Sequence, residues 1–188
     1  HVEAGMRSYN RRMPEELNRI VTDHLSTFAF CPTDAARANL AREGIGGGIV
    51  TGDIMYDARL HYRTVALQGD ARDAPGSAGL PDHFYLLTLH RAENTDDPRR
   101  LSSIVDALNG MGQYPAVFPV HPRTRAVLER QGLSVAPHIR LLEPVGYLQM
   151  LRLEEMCDFV VTDSGGVQKE AYFAHKPCIT LRDETEWV

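Results

Sequence analysis

The sequence predicts an α/β fold in which parallel sheets carry helices on both faces. From residue 14 onward, short apolar runs alternate with segments that have the apolar spacing of a helix. Pro, Gly, Asp or Asn stands at nearly every junction between the two kinds of segment. Parallel strands need long crossover connections, and these are usually helices.

The predicted elements alternate along the whole chain. Helices are predicted over residues 15–25, 33–43, 54–66, 98–111, 124–131, 147–155 and 167–175. Strands are predicted over residues 28–31, 49–51, 84–89, 116–120, 139–142, 159–162 and 178–181. Ligands of such sheets bind beyond the carboxyl ends of the strands, so functional residues are expected where strands end.

The domain organisation follows from one break in this rhythm. Residues 68–81 are rich in Gly, Ala, Asp and Pro and have no periodicity, which is typical of a linker or surface loop. We therefore predict one domain over residues 1–66, a linker over 67–81 and a second domain over 82–188. The chain opens at His1, and its last residues carry no terminal signature, so we expect that both ends are cut.

Composition excludes several classes of function. The chain has 25 acidic and 20 basic residues, and the basic ones are scattered, which argues against a nucleic-acid surface. It has no apolar run near ~18 residues and no export leader, so we predict a cytoplasmic protein without a membrane segment. The three cysteines are widely spaced and are interpreted as buried apolar residues: Cys31, Cys157 and Cys178. No spacing of cysteines or histidines suggests a metal site.

The segment 159–171 runs from an apolar strand through Ser164, Gly165 and Gly166 into a helix. Glycines allow close backbone approach, and the first amides and the dipole of a helix favour an anion such as phosphate. Glu170 would lie about one turn further, within reach of a sugar hydroxyl. A Gly-rich turn with a serine helix cap explains the same residues equally well. Asp163-Ser164 with two glycines is also a serine-protease motif, but those proteases are all-β.

Two more clusters follow predicted strands. His90, Arg91, Glu93 and Asn94 come directly after the strand 84–89, where a parallel sheet places its ligand. A histidine there can pair with phosphate or transfer a proton, and four functional groups together favour a site over a structural role. His121 occupies the same position after the strand 116–120, although a simple turn ended by Pro122 explains it as well.

Carboxylates near the start of the chain are candidates for acid and base. Glu15 and Glu16 begin a predicted helix, where the helix dipole alone explains acidic residues. Glu3 follows a probable strand end, which suits a group presented into a cleft; two carboxylates in one cleft could remove and return a carbon-bound proton. The glycines of segment 44–48 precede a strand and do not form a dinucleotide fingerprint, so we predict no nicotinamide cofactor.

Six segments in this order strongly resemble the non-hydrolysing UDP-N-acetylglucosamine 2-epimerases. They are His-Val-Glu-Ala-Gly-Met-Arg (1–7), Pro-Glu-Glu-Leu-Asn-Arg (14–19), Val-Thr-Gly-Asp (50–53), His-Arg-Ala-Glu-Asn (90–94), His-Pro-Arg-Thr (121–124) and Asp-Ser-Gly-Gly-Val-Gln-Lys-Glu-Ala (163–171). The resemblance implies a glycosyltransferase-B-like fold with two Rossmann-like domains, of which about half is present. It also implies that the missing beginning carries a catalytic aspartate and basic phosphate contacts, so the fragment alone is expected to be inactive.

The resemblance implies roles for individual residues. Glu3 and Glu15 match the catalytic carboxylates of the family, and His90 matches its histidine at the diphosphate. The UDP-binding turn and helix correspond to Ser164, Gly165, Gly166 and Glu170. The implied reaction inverts C2 of a UDP-2-acetamido sugar by elimination and re-addition of UDP, without a cofactor. Neighbouring residues expected near the site are Arg7, Arg91, Glu93, Asn94, His121, Met150 and Asp163.

Two departures concern the substrate. Met150 stands where many relatives have Phe beside the nucleotide, and Trp187 stands where many UDP-N-acetylglucosamine epimerases have Arg. The ending around Trp187 is also common in relatives that act on other UDP-amino sugars, including 2,3-diacetamido uronic acids. A glycosyltransferase of the same fold and an inactive nucleotide-sugar-binding regulator are the alternatives. Family analogy suggests a homodimer and a role in cell-envelope polysaccharide biosynthesis.

Overall fold

The computed structural model describes residues 1–68, 79–183 and 185. Two compact units divide the chain, one formed by residues 1–60 and the other by residues 61–183. The division falls within the helix Ile54–Ala66. Most of the predicted linker over 67–81 lies outside the described residues, and Trp187 also lies outside them.

The first unit is built around a short parallel sheet. Strands β1 (Phe30–Cys31) and β2 (Ile49–Val50) pair in parallel, and Val2 adds a parallel bridge to Phe30. Helix α1 (Pro14–Leu25) precedes β1, and α2 (Asp34–Arg42) connects β1 to β2. Helix α3 (Ile54–Ala66) begins in this unit and ends in the second. The buried core of this unit consists of apolar residues, most of them small: Ala4, Met6, Ala29, Cys31, Ala36 and Leu40.

The second unit contains one five-stranded sheet in which all pairs are parallel. Its strands are β3 (Tyr85–Thr88), β4 (Ala116–Pro119), β5 (Ile139–Leu142), β6 (Phe159–Thr162) and β7 (Cys178–Thr180), in the spatial order β5-β4-β3-β6-β7. Its helices are α4 (Ala92–Thr95), α5 (Pro98–Gly110), α6 (Pro122–Arg130), α7 (Tyr147–Met156) and α8 (Gly165–Phe173). The chain thus returns from β5 to the other side of β3, and the strand order reverses between β3 and β6.

Two separate cores cover the two faces of this sheet. Tyr85, Leu87 and Val161 face the core that contains residues of α5 and α6. Leu86 and Val160 face the core that contains residues of α7 and α8. Alternate residues of each strand therefore pack on opposite faces, as expected for a strand buried on both sides. The predicted α/β architecture with helices on both faces is confirmed.

The element boundaries differ from the prediction in two informative places. Helix α8 begins at Gly165 rather than at 167, and α6 begins at Pro122 rather than at 124. Apolar periodicity detects only buried positions, whereas the first turn of a helix is often formed by Gly or Pro. The four-residue helix α4 was not predicted, since one turn is too short to have a periodicity.

Two further predictions concern membrane-spanning segments and the burial of the cysteines. Among the described residues, no helix is long and apolar enough to cross a membrane. Cys31 and Cys157 are buried, as predicted, whereas Cys178 is half-buried. Burial raises the pKa of the Cys157 thiol to about 12, so this sulfur is protonated and unreactive at neutral pH.

Candidate active site

The candidate site of the second unit lies where the strand order of the sheet reverses. β3 and β6 are adjacent and parallel, with Thr88 paired to Thr162, so both strands end at the same edge. His90 follows the first strand, and Ser164 follows the second. The crevice at such a reversal is the usual ligand site of doubly wound sheets. The structure therefore brings together two segments that were predicted separately from the sequence.

Asp163 connects these two segments. Its carboxylate is fully buried and accepts hydrogen bonds from the backbone N–H groups of His90 (3.0 and 3.1 Å) and Arg91 (2.8 Å). The side-chain amide of Asn94 donates a further bond of 3.1 Å. Its Oδ1 also lies 3.4 Å from Nδ1 of His90. The His90 segment is thus fixed to the end of β6.

A threonine pair supports this arrangement from within the sheet. The hydroxyls of Thr88 and Thr162 are buried and 2.5 Å apart. Thr162 Oγ1 also accepts the backbone N–H of Ser164 at 2.9 Å. The amide at the start of the Ser-Gly-Gly segment (164–166) is therefore satisfied, and the direction of the chain into α8 is fixed.

Helix α8 begins with the Ser-Gly-Gly segment. Ser164 is the N-cap, and its Oγ accepts the backbone N–H of Val167 at 3.3 Å. Gly165 and Gly166 form the first two helical positions, whose N–H groups have no carbonyl one turn earlier to bond. These groups and the positive end of the helix dipole suit an anion. Both expected roles of Ser164, helix cap and anion donor, are compatible because a hydroxyl can donate and accept at once.

A cleft of about 220 Å³ lies beside these segments. His90 and His121 line it, and their ring centroids are 6.5 Å apart. His121 is the N-cap of α6, and its Nδ1 accepts the backbone N–H of Arg123 at 3.2 Å. An accepting Nδ1 carries no proton, so the neutral ring of His121 carries its proton on Nε2. The remaining lining is mostly apolar: Thr88, Leu89, Pro119, Pro144, Val145, Met150 and Val167.

The residues after His90 have mainly structural contacts. Asn94 is fully buried, and besides Asp163 it binds the carbonyl of Leu181 (2.9 Å) and Nε of Arg100 (2.6 Å). Glu93 is exposed, and its Oε1 lies 3.7 Å from Nε of Arg182. Arg91 is half-buried at the N-cap of α4. Glu170 lies on α8 and is 8% exposed.

In the first unit, Glu3 has an unusual backbone. Its φ of 71° lies in the left-handed region, which non-glycine residues rarely adopt. Gly5 has a φ of 80°, and a Cβ there would stand 2.2 Å from the carbonyl oxygen of Ala36, so only glycine fits. The segment is held by Asp23, which accepts the N–H of Gly5 at 3.1 Å. Such strain is found preferentially at functional residues, which makes Glu3 a reasonable candidate.

Arg7, predicted as a site neighbour, makes its contacts within the first unit. Its guanidinium is fully buried and donates to Glu43 (2.8 and 2.7 Å) and Asp23 (2.7 Å). Burial alone would lower the pKa of Arg7, but the hydrogen bonds that it donates to these carboxylates outweigh this effect, and the pKa is raised. Its contacts are those of a residue that stabilises the first unit.

The two glutamates at the start of α1 differ in exposure. Glu15 is exposed in the first turn of the helix. Glu16 is 1% exposed, and its carboxylate accepts the N–H groups of Ser8 (2.8 Å) and Tyr9 (3.0 Å) and the Ser8 hydroxyl (3.0 Å). Glu16 therefore organises the preceding loop, whereas Glu15 is available to a ligand. In the described part of the chain, no group of His, Cys, Asp and Glu side chains could hold a metal ion.

Sequence comparison identifies the family. The sequence profile described as UDP-N-acetylglucosamine 2-epimerase matches residues 1–188. The chain belongs to the UDP-N-acetylglucosamine 2-epimerase family. It is 52% identical to the UDP-2,3-diacetamido-2,3-dideoxy-D-glucuronate 2-epimerase of Pseudomonas aeruginosa, covering 100% of this chain and 52% of that protein. It is 44% identical to the UDP-N-acetylglucosamine 2-epimerase of Methanocaldococcus jannaschii, covering 99% and 54%.

Solved structures of epimerases have the same fold. The crystal structure of the Methanocaldococcus jannaschii enzyme with UDP-GlcNAc and UDP superimposes with a TM-score of 0.91 at 43% identity, covering 100% of this chain and 54% of that one. The structure of the Neisseria meningitidis enzyme bound to UDP-GlcNAc superimposes with a TM-score of 0.86 at 33% identity, covering 100% of this chain and 53% of that one. The expected glycosyltransferase-B-like fold is confirmed. The chain spans about half the length of the epimerases it matches.

Proposed function

We propose that the whole protein carrying this chain inverts C2 of a UDP-linked 2-acetamido sugar by eliminating and re-adding UDP. The observation that carries the proposal is the joining of His90 to the N-terminus of α8 by Asp163 at the reversal of the strand order. This arrangement offers an imidazole, a serine hydroxyl and the first N–H groups of a helix at one edge of the sheet. These are the donors that a diphosphate requires.

In this reaction, negative charge develops on the departing diphosphate. A base removes the C2 proton, the C2–H electron pair forms the C1=C2 double bond, and the C1–O bond breaks so that UDP leaves. The intermediate is a 2-acetamidoglucal. UDP oxygen then adds back to C1 while C2 receives a proton on the opposite face. Donors preorganised at the departing phosphate lower the barrier because charge develops there in the transition state.

Roles for the chain's own residues follow from the geometry and the family resemblance. We assign His90, Ser164, Gly165 and Gly166 to the diphosphate, with Glu170 at a ribose or sugar hydroxyl. Glu3 and Glu15 are assigned to proton transfer at C2 because general acid–base chemistry at carbon needs carboxylates of this kind. Met150, in the lining of the cleft, would pack against the nucleotide. The family resemblance also supports a cytoplasmic homodimer.

The identity of the sugar is a separate part of the proposal. UDP-N-acetylglucosamine, converted to UDP-N-acetylmannosamine, is the first candidate because the family and both solved complexes are named for it. A UDP-2,3-diacetamido uronic acid is the second candidate, supported by the 52% identity to a protein named for that substrate. The two differ at C3 and C6, so the same elimination chemistry applies to both.

Proton NMR in heavy water tests the reaction. The whole protein is expected to exchange the C2 hydrogen of one of the two candidate UDP-sugars with deuterium and to form the C2 epimer. Consumption or transfer of the sugar without label at C2 would contradict the proposal and favour a glycosyltransferase. The two substrates, compared by kcat/KM, identify the sugar.

A matched pair of variants assigns the carboxylate. Glu15→Gln removes an exposed carboxylate from the first turn of α1 and is expected to reduce exchange by about 10²-fold or more. Asp34→Asn makes the same kind of change in the first turn of α2, where the carboxylate pairs with Arg37. Its exchange rate is expected to equal that of the wild type. Equal losses in both variants would argue against a role for Glu15.

A further inference from the structure

The two carboxylate oxygens of Asp163 have different partners. Oδ2 accepts three N–H groups, from the backbones of His90 (3.0 Å) and Arg91 (2.8 Å) and from the Asn94 amide (3.1 Å). Oδ1 accepts the His90 N–H at 3.1 Å and lies 3.4 Å from the ring Nδ1 of His90. Both oxygens therefore hold the loop, and Oδ1 also faces the imidazole.

The 3.4 Å contact between Oδ1 and Nδ1 favours one tautomer of His90. A carboxylate oxygen accepts only, so it favours a proton on the ring nitrogen that faces it. The proton on Nδ1 is then directed at Asp163, and Nε2, on the opposite side of the ring, is the nitrogen left for the diphosphate, to which it donates only when the ring carries both protons. His121 across the cleft has the opposite tautomer, since its Nδ1 accepts the N–H of Arg123.

We propose that Asp163 is a positioning residue for the epimerase reaction, holding the His90 ring in the Nδ1–H tautomer and in register with the Ser-Gly-Gly segment. The register follows from chain order, because the residue whose side chain binds His90 is directly followed by Ser164, the N-cap of α8. Asp163 therefore resists movement of β3 relative to β6 at His90 and Ser164, the two residues proposed to bind the diphosphate. The inference rests on the proposed function.

The closing experiment uses Asp163→Asn in the whole protein. Three N–H donors converge on Oδ2, so the oxygen of the new amide is expected there and its NH₂ group faces Nδ1 of His90. The loop then keeps three of its four N–H bonds and loses the 3.1 Å bond from the His90 N–H to the Oδ1 position. Nδ1 becomes an acceptor, and the proton moves to Nε2. Nitrogen-15 chemical shifts of the His90 ring are assigned by comparison with His90→Gln. In Asp163→Asn, the shift typical of a protonated nitrogen is expected at Nε2 instead of Nδ1. We expect kcat to fall by about 10²-fold or more while KM changes little.

Two other variants separate positioning from stability. Asp158→Asn alters an aspartate at the opposite end of β6, whose Oδ1 lies 3.2 Å from Nδ1 of His83. This aspartate–histidine pair is exposed, and its loss is expected to leave kcat unchanged. Asn94→Ala removes a structural contact of Asp163 but not the carboxylate, so thermal stability is expected to fall while the His90 tautomer is retained.

The outcomes distinguish this inference from the proposed function. Absence of C2 exchange in the wild type would contradict the proposed function, whatever the tautomer of His90. An Nε2–H tautomer of His90 in the wild type would overturn the role of Asp163 even if the enzyme is active. An active wild type with an unchanged kcat in Asp163→Asn would overturn it as well.

Discussion

Arg7 and Glu43 form a two-pronged ion pair, in which Nε donates to Oε1 at 2.8 Å and Nη2 to Oε2 at 2.7 Å. The guanidinium is fully buried, whereas the carboxylate retains 26% of its exposure. The hydrogen bond from Arg7 lowers the pKa of Glu43 from its ordinary value of 4.5. The pair joins the segment that carries Glu3 to the end of α2, 36 residues away.

Glu43→Gln is expected to destabilise the protein in a pH-dependent way. A lowered folded-state pKa means that the unfolded state takes up the proton first as the pH falls. The stabilisation is therefore complete well above pH 4.5 and is lost as the pH falls through the folded pKa. We expect about 1–3 kcal/mol less unfolding free energy at pH 7, since the bond involves charged groups. Urea unfolding between pH 7 and pH 3 should show this difference shrinking.

Arg37→Gln provides the control for this pH series. Arg37 pairs with Asp34 at 2.8 Å, but both side chains are more than half exposed. Exposed pairs of this kind contribute about 0–1 kcal/mol, so its unfolding free energy should stay close to that of the wild type. A pH-independent deficit in Glu43→Gln would show that the side chain acts through packing and not through its charge.

The role of Arg7 illustrates what the sequence could not predict. Its partners lie 16 and 36 residues away and have no spacing relation to it, so only the fold brings Asp23 and Glu43 to it. The motif around it correctly indicated the family but gave no direction for this side chain. Glu16 was likewise explained by the helix dipole, and its binding to the loop at Ser8 and Tyr9 was missed.

The helices and strands were largely predictable because burial imposes a period on the sequence. The strands β5 and β6 have the predicted bounds, and α3 also matches. The order of the strands was not predictable, because no local pattern says that β3 lies between β4 and β6. His90 and Ser164 were therefore each expected at a strand end, but their connection through Asp163 required the structure.

Tyr85→Phe is expected to leave the protein equally stable or to stabilise it by up to about 1 kcal/mol. The Tyr85 side chain is fully buried in β3, and its hydroxyl finds no hydrogen-bond partner among the described residues. Burial raises the pKa of this phenol, so it is neutral. A buried hydroxyl without a partner costs free energy that phenylalanine avoids. The Tyr85 ring stacks on the ring of Phe159, with the two centroids 5.2 Å apart, and phenylalanine at position 85 would keep this contact.

Chemical denaturation measures this effect against Tyr114→Phe. Tyr114 is 48% exposed and contacts the same Phe159 ring edge-on. Its hydroxyl can reach water, so its removal should change the unfolding free energy by less than about 0.5 kcal/mol. A loss of more than about 1 kcal/mol in Tyr85→Phe would mean that the buried hydroxyl binds an ordered water molecule.

Two helix caps of the same kind allow anion binding to be separated from helix stability. Ser164 caps α8 by accepting the N–H of Val167 at 3.3 Å, and Thr33 caps α2 by accepting the N–H of Ala36 at 3.1 Å. Loss of either cap costs about 1 kcal/mol of stability. Only Ser164 follows a strand end at the reversal of the strand order, next to His90.

Ser164→Ala is therefore expected to weaken UDP binding to the whole protein, whereas Thr33→Ala is not. A hydroxyl that donates to a phosphate oxygen contributes about 1.5–3 kcal/mol, so the dissociation constant should rise about 10-fold or more. Isothermal titration calorimetry gives both affinities, and differential scanning calorimetry should show comparable losses of thermal stability. Ser164→Thr retains the hydroxyl and should restore most of the affinity. If both alanine variants bind UDP equally well, Ser164 only caps its helix, and the phosphate contacts come from the backbone N–H groups of Gly165 and Gly166.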